Sequence, residues 1–331
     1  MDIQRRLFLK LMAALASLIP CKAVSRVFAA NPLTKPDAHQ NSALVIIAQR
    51  SGAVKPEGTL DTKVISSMVS SSLCRLTGAS VISDAWRNLF KPSEIVGIKV
   101  NAVGGPGICT HPSLVYVIAR QLLNAGIPEH HIVIWDRLSN ELERGGYTIQ
   151  RSGSGIRCFG TDNDYERKIE TAGSIGSCFS RIIASCDALI NIPVLKDHDL
   201  SGVSLGLKNF YGAIHNPNKY HDNHCDPFIA DLNTHPYIKN KLRLTIIDGL
   251  RAQYNGGPAC KQQWQWTFAG LILSRDPVAV DAIGTAIIEK KRQEQGLSSL
   301  ADSNRPPLHI HTAALRGLGT DNTNAILQVQ V

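Results

Sequence analysis

Short apolar runs alternate with longer amphipathic segments along most of this chain. Runs typical of buried strands occur at residues 44–48, 95–101, 131–136, 156–160, 242–250 and 267–276. Apolar positions recur with helical spacing at residues 61–78, 85–90, 113–127, 277–294 and 309–319, and residues 180–195 have the pattern of a helix followed by a strand. This alternation predicts an α/β fold, in which helices cover both faces of a mostly parallel sheet.

One segment, residues 212–241, breaks the alternation. It shows little apolar periodicity and contains His215, His221, His224 and His235. We predict a long histidine-containing loop there, and loops of this length inside a compact domain are usually functional or disordered.

The first 30 residues have the three parts of an export signal: a basic start, an apolar middle and a small-residue end. Arg5 and Arg6 precede Phe-Leu-Lys, which resembles the twin-arginine signal. The apolar run at residues 11–20 is shorter than the roughly 20 residues of a membrane span, which argues against an N-terminal membrane anchor. We therefore expect export by the twin-arginine machinery to the periplasm or beyond, cleavage after Ala29 or Ala30, and no stable membrane span afterwards.

The sequence after the predicted signal indicates a linker followed by one folded unit. Residues 31–42 are polar, contain two prolines and have the character of a linker. The composition, 44% hydrophobic and 19% charged, is globular. We predict a single α/β domain over residues 43–331.

Charge and cysteine usage exclude several classes of protein. The chain of 331 residues has a net charge of +8, and residues 1–30 hold +4 of it. No lysine–arginine block follows, so we expect no nucleic-acid partner. None of the eight cysteines forms Cys-x-x-Cys, which argues against an iron–sulfur cluster or zinc ribbon. Seven cysteines follow the signal, and their pairing stays open.

Basic and amide side chains cluster where predicted strands end. Such ends line the ligand crevice of α/β sheets. A single lysine is usually exposed to solvent, but several in one crevice repel unless an anion or a carboxylate joins them. Asp136, Asp248 or Asp276 would supply such a carboxylate. The candidate ligand-binding residues are Lys99, Asn101, Asn191, Lys196, Lys208, Asn209, Asp248 and Asp276.

Three further residues are candidates for acid–base chemistry. His111 and His198 titrate near neutral pH as free side chains, which suits a general acid or base. Asp281 lies early in the predicted helix 277–294, where it faces either the crevice or solvent. Asp276 precedes Pro277 and also suits the N-cap of that helix.

A metal site is a separate possibility within the histidine-containing segment. Imidazole and thiolate suit zinc, copper, iron or nickel, although the spacing matches no closed zinc site. A polar loop with incidental histidines is the alternative. The candidate metal ligands are His215, His221, His224 and Cys225.

Several blocks resemble the bacterial and archaeal family named domain of unknown function 362. They include IVGIKVN, INIPVLKDHDLSGVSLGLKNFYG and LILSRDPVAVDAIG, and the resemblance spans roughly residues 44–331. It implies one site built from Lys99, Asn101, His111, Lys196, His198, Lys208, Asn209, Asp248, Asp276 and Asp281. Some members carry a ferredoxin-like segment with clustered cysteines, a pattern this sequence lacks.

Two hypotheses of function follow. In the first, an exported enzyme acts on a small anionic ligand, with redox metabolism as one setting. In the second, a non-catalytic accessory protein carries a metal or cofactor to exported partners. Whether the protein is an enzyme, and which cofactor it uses, stay open at this level.

Overall fold

The computed structural model describes residues 42–331, and the predicted export signal and nearly all of the linker lie outside this range. The thirteen strands within it are β1 (Ala43–Gln49), β2 (Val96–Val100), β3 (Ile132–Asp136), β4 (Arg157–Gly160), β5 (Glu170–Ala172), β6 (Ile175–Ser177), β7 (Ala188–Ile192), β8 (Val194–His198), β9 (Gly202–Val203), β10 (Leu242–Gln253), β11 (Gln265–Trp266), β12 (Gly270–Ser274) and β13 (Ile326–Gln330).

Helices fill most of the connections between these strands. The α-helices are α1 (Thr62–Thr77), α2 (Ile82–Arg87), α3 (Pro112–Asn124), α4 (Ser139–Arg144), α5 (Arg181–Ser185), α6 (Gly206–Asn209), α7 (Phe228–Asn233), α8 (Pro236–Lys239), α9 (Pro277–Glu294) and α10 (Leu308–Leu315). No helix in residues 42–331 is long and apolar enough to cross a membrane.

One large sheet organises the domain. Its strand order is β13-β1-β12-β10-β7-β2-β3-β4, and β8 pairs with β10 beside this path. The pairs β10–β7, β7–β2, β2–β3 and β3–β4 are parallel, while β12 runs antiparallel to β1 and β10. The predicted mostly parallel α/β sheet is confirmed.

Each face of the sheet has its own hydrophobic core because successive strand residues point to opposite sides. In β3, Ile132 and Ile134 join the core under α1 and α3, whereas Val133 and Trp135 join the core on the side of α9. The apolar strands lack a polar alternation because both of their faces are buried.

Two segments differ in detail from the sequence-based expectation. The sequence SGVSLGLKNFYGA predicts a helix that starts at Ser201. The helix begins only at Gly206, because Gly202 pairs with His198 as β9. Residues 212–241 form short helical turns rather than one open loop, and Ile229, Leu232 and Ile238 anchor them in the core. The strands β5, β6, β8, β9, β11 and β13 were not expected from the pattern.

The longest helix, α9, begins at a well-defined N-cap. One carboxylate oxygen of Asp276 accepts hydrogen bonds from the backbone N–H groups of Val278 and Ala279, and the other accepts one from Thr320. Pro277 occupies the first helical position, where its missing N–H is harmless. The cap therefore joins α9 to the segment that follows α10.

We predict that Asp276→Ala lowers the free energy of unfolding by about 1–2 kcal/mol because three backbone donors lose their acceptor. Asp276→Asn retains an acceptor oxygen and is expected to lose much less. Urea unfolding of both variants tests this. Equal losses for Ala and Asn would show that the hydrogen bonds of the cap are not the stabilising feature.

Candidate active-site cavity

The parallel strands bring their polar carboxyl ends to one edge of the sheet. Lys99 of β2 lies in register with Asn191 of β7 on one side and Trp135 of β3 on the other. Asp136 ends β3, and Lys196 lies in β8. Three chain segments that are distant in sequence, β2, β3 and the consecutive strands β7 and β8, therefore meet there.

A cavity of about 220 Å³ opens at this edge. Loop and helix residues from 204–221 close its other side. Its polar and ionisable lining includes Lys99, Asn101, Asp136, Arg137, Glu141, Lys196, His198, Lys208, Asn209, Tyr211 and His221.

The Lys99 ammonium is fully compensated inside the protein. Its Nζ donates to Asp136 Oδ1 at 2.7 Å, to the Val100 carbonyl at 2.6 Å and to Asn209 Oδ1 at 3.3 Å. Asp136 also accepts from the backbone N–H groups of Ala102 and Arg137. All three N–H donors of the Lys99 ammonium are used in these contacts, so Lys99 stabilises the wall of the cavity.

A chain of side-chain amides links Lys196 to helix α6. Lys196 Nζ donates to Asn101 Oδ1 at 3.0 Å, and Asn101 Nδ2 donates to Asn209 Oδ1 at 3.1 Å. Asn209 Nδ2 then donates to Asn191 Oδ1 at 2.7 Å, and Asn191 Nδ2 to the Gly206 carbonyl at 2.8 Å. Each amide orients the next, which makes the wall rigid.

Lys196 itself is buried, and no carboxylate of residues 42–331 lies within 4.0 Å of its ammonium. Besides Asn101, its ammonium lies 3.5 Å from the Ile108 carbonyl. Burial, only partly offset by more distant negative groups, lowers the pKa of Lys196 to about 8. The positive charge is held by dipoles alone.

Lys208 faces the same cavity and likewise forms no ion pair with the described residues. Its Nζ lies 3.1 Å from His221 Nε2 and 4.2 Å from the centre of the Tyr211 ring. Burial lowers the pKa of Lys208 to about 8 as well. An imidazole and an aromatic face thus replace a carboxylate beside this amine.

His198 is a neutral imidazole with a defined tautomer. Its Nδ1 accepts the backbone N–H of Leu200 at 3.1 Å, which places the ring proton on Nε2. Burial and the nearby Lys208 lower the pKa of His198 to about 2. The Asp199 carboxylate lies 3.1 Å from the same Nδ1, but the lone pair there is already used and the ring stays uncharged, so no ion pair forms.

Five of the predicted catalytic and ligand-binding residues lie outside the lining of this cavity: His111, Asn191, Asp248, Asp276 and Asp281. His111 Nδ1 pairs with Asp248 Oδ2 at 2.8 Å; burial lowers the pKa of His111, but the stronger combined effect of Asp248 raises it. Asp281 accepts the backbone N–H groups of Gly206 and Leu207, both at 2.8 Å, while burial raises its pKa to about 7. Asp276 is the cap of α9. These carboxylates position backbone rather than contact the cavity.

The four predicted metal ligands do not converge. His224 Nδ1 lies 3.2 Å from the Leu200 carbonyl near the surface, and His215 packs edge-on against Tyr165. Lys208 Nζ lies 4.0 Å from Cys225 Sγ and 3.1 Å from His221 Nε2, so an ammonium, not a metal ligand, is the group that both side chains face. Across residues 42–331, no three His, Cys, Asp or Glu side chains are grouped to hold a metal ion.

With this geometry established, comparison with known proteins identifies the family. The model described as "Domain of unknown function (DUF362)" matches residues 96–286. The chain belongs to this family. All residues that line the cavity lie within the matched range, and the resemblance seen in the sequence blocks is confirmed.

Other comparisons add little about the DUF362 domain. A search of the curated proteins finds no match. Among solved structures, the lactate racemase apoprotein from Thermoanaerobacterium thermosaccharolyticum aligns with a TM-score of 0.34 and 15% identity, covering 61% of this chain and 50% of that protein. The match spans about half the length of that racemase.

Sequence reasoning missed several groups beside the DUF362 cavity. Asp197, in β8 between Lys196 and His198, turns away from the cavity and pairs with Arg305 at 2.6 Å. His309 is completely buried, and neither ring nitrogen has a hydrogen-bond partner among the described residues. The alternation of β8 is a usable signal for Asp197, but no local pattern places α10 near the cavity.

The lowered pKa values of Lys196 and Lys208 predict how the stability of the fold depends on pH. An unfolded lysine releases its proton near its ordinary pKa of 10.5, whereas the folded protein releases it near 8. Between these values the unfolded state binds more protons, so this contribution to stability rises with pH. Below pH 8 each lysine destabilises the ligand-free fold by on the order of 3 kcal/mol.

We therefore expect Lys196→Met to have a larger free energy of unfolding than the natural protein at pH 7. This gap in stability should close as the pH approaches 10.5. Urea unfolding of both proteins across this range, in a buffer without small anions, measures the gap. Lys290→Met, which changes an exposed lysine of α9, is the matched control and should show no pH-dependent gap. A gap for Lys196→Met that is constant with pH would contradict the assigned burial effect.

Proposed function

We propose that the DUF362 cavity binds a small anionic ligand, with a carboxylate or phosphate group held between Lys196 and Lys208. The observation that carries this proposal is the burial of two ammonium groups without a carboxylate partner among the described residues. Buried charges in proteins are normally paired, because desolvation of an isolated ion is expensive. A ligand anion would supply the missing pair.

The form of the cavity supports a small ligand. Its volume of about 220 Å³ is below the roughly 300–1,000 Å³ of sites that take drug-sized molecules. Amide donors and acceptors are already oriented along its wall by the chain from Lys196 to Asn191. Arg137 at the cavity adds positive charge, whereas Asp136 is already committed to Lys99. The arrangement favours a compact, polar and negatively charged molecule.

The neutral His198 suits the role of a hydrogen-bond donor to such a ligand. Its Nδ1 is occupied by backbone, so the proton on Nε2 is the group that remains available. With a pKa of about 2 it is uncharged at neutral pH. We therefore assign His198 to orientation of the ligand and give it no role as an imidazolium acid. The metal-carrier alternative lacks a ligand cluster among residues 42–331.

We further propose that the protein works after export by the twin-arginine route. The support is the Arg5–Arg6 pair, the following Phe-Leu-Lys and the short apolar run in residues 1–30. Because this route carries folded proteins, the cavity would be assembled before export.

We predict that Lys196→Met and Lys208→Met each abolish binding of small anions without loss of the folded state. Isothermal titration with oxalate and with inorganic phosphate measures binding, and circular dichroism checks the fold. Lys290→Met, at an exposed position, should bind like the natural protein. Undiminished binding by both cavity variants would place the anion elsewhere, and absence of binding by the natural protein would reject these small anions as ligands of the cavity.

For export, we predict that the double change Arg5→Lys and Arg6→Lys retains the protein in the cytoplasm, because the machinery reads the arginine pair. Cell fractionation and the size of the mature chain measure the outcome. Arg26→Lys, a conservative change outside the pair, is the matched control and should leave export intact. Normal export of the double variant would contradict a twin-arginine route.

A further inference from the structure

The contacts of Lys208 differ from those of the other two lysines in the cavity. Lys99 is fixed by Asp136, and Lys196 donates to the oxygens of Asn101 and Ile108. These oxygens can only accept hydrogen bonds, so the ammonium groups of Lys99 and Lys196 act only as donors. Lys208 instead has a nitrogen base, His221 Nε2, at 3.1 Å.

The tautomer of His221 is fixed by the protein. Its Nδ1 lies 3.0 Å from the Pro217 carbonyl oxygen, which can only accept, so Nδ1 carries the proton. The lone pair of Nε2 therefore points at Lys208 Nζ. This arrangement allows the imidazole to take a proton from the ammonium, as a base does for a nucleophile.

The electrostatic surroundings disfavour a permanent charge on Lys208. Burial lowers its pKa, while Cys225 and the exposed Asp199 act in the opposite direction without a direct ion pair. The pKa values of the surrounding histidines are lowered too, so these imidazoles are neutral and give the ammonium no charged partner. The titratable groups around Lys208 are Lys196, His198, Asp199, Tyr211, His221, Cys225 and His309.

We propose that Lys208 is a nucleophilic amine that forms an imine with a small oxo acid, with His221 as its base and Lys196 holding the carboxylate. The inference rests on the proposed anion-binding function and names its substrate class: a short carboxylic acid with an aldehyde or ketone group. Desolvation beside a second cation is a known way of activating a lysine for carbonyl chemistry.

The step balances without any co-reactant. The Lys208 ammonium gives a proton to His221 Nε2, and the free amine attacks the carbonyl carbon to form a C–N bond. The carbonyl π electrons move to oxygen, and this oxygen takes a proton from the newly bonded, positively charged nitrogen to become a hydroxyl group. Loss of this hydroxyl with the proton returned by His221 releases water and leaves a protonated imine. One ammonium and one carbonyl thus become one iminium and one water, with no change of oxidation state.

Reductive trapping tests the inference on the full protein. Glyoxylate, a small anionic aldehyde, is added with cyanoborohydride, and the labelled lysine is located by peptide mass spectrometry. We expect labelling of Lys208 to be about tenfold or more faster than labelling of the exposed Lys290, since an amine of lower pKa is free more often at neutral pH. Oxalate, which has the charge but no aldehyde, should protect Lys208.

Variants separate the roles. Lys208→Met should lose the cavity label and Lys196→Met should lose oxalate protection, while Lys290→Met should change neither. His221→Gln keeps a hydrogen-bond acceptor but no base, so labelling of Lys208 should slow and its pH profile should move to higher pH. An unchanged profile would remove His221 from the step.

The outcomes distinguish the two proposals. Oxalate binding by the natural protein without a Lys208 adduct would overturn the imine while leaving the anion site in place. Failure of both oxalate binding and labelling would overturn both. Labels spread equally over exposed lysines would also reject a special role for Lys208.

Discussion

Two buried ammonium groups that have no carboxylate partner within residues 42–331 set the main constraint on this domain. Placing Lys196 and Lys208 at the inner edge of a sheet opposes folding, because each charge loses its water. The protein compensates with dipoles: a run of asparagine amides beside Lys196, and an imidazole and an aromatic face beside Lys208. The remaining imbalance is the basis of the proposed anion site.

Residues outside the cavity hold these side chains in place. Asp281 of α9 holds the first backbone N–H groups of α6, the short helix that carries Lys208 and Asn209. Close approach is possible at Gly212, where a Cβ atom would lie 2.8 Å from Asp136 Oδ1 and 2.8 Å from Lys99 Cε. Carboxylates that the sequence indicated as site residues, such as Asp281, therefore bind backbone N–H groups and do not line the cavity.

The histidines near the cavity illustrate how environment decides chemistry. In solution an imidazole titrates near neutral pH and readily binds metals. Here His198 and His309 are buried next to a lysine, and their pKa values fall to about 2 and about 3. They behave as neutral polar groups. The ammonium of Lys208, which lowers their pKa, also lies beside His221 and Cys225, two of the predicted metal ligands.

The sequence by itself determined the alternation of strands and helices, the membership of the family and the concentration of lysines and asparagines at strand ends. These follow from local patterns, because the periodicity of apolar residues and the polar residues that follow a strand are encoded within short segments. Tertiary structure alone decided which residues share the cavity: His111 and Asp248 pair across 137 residues, and β8 turns Asp197 away while it presents Lys196. Charge compensation depends on distances between remote segments, which no local pattern contains.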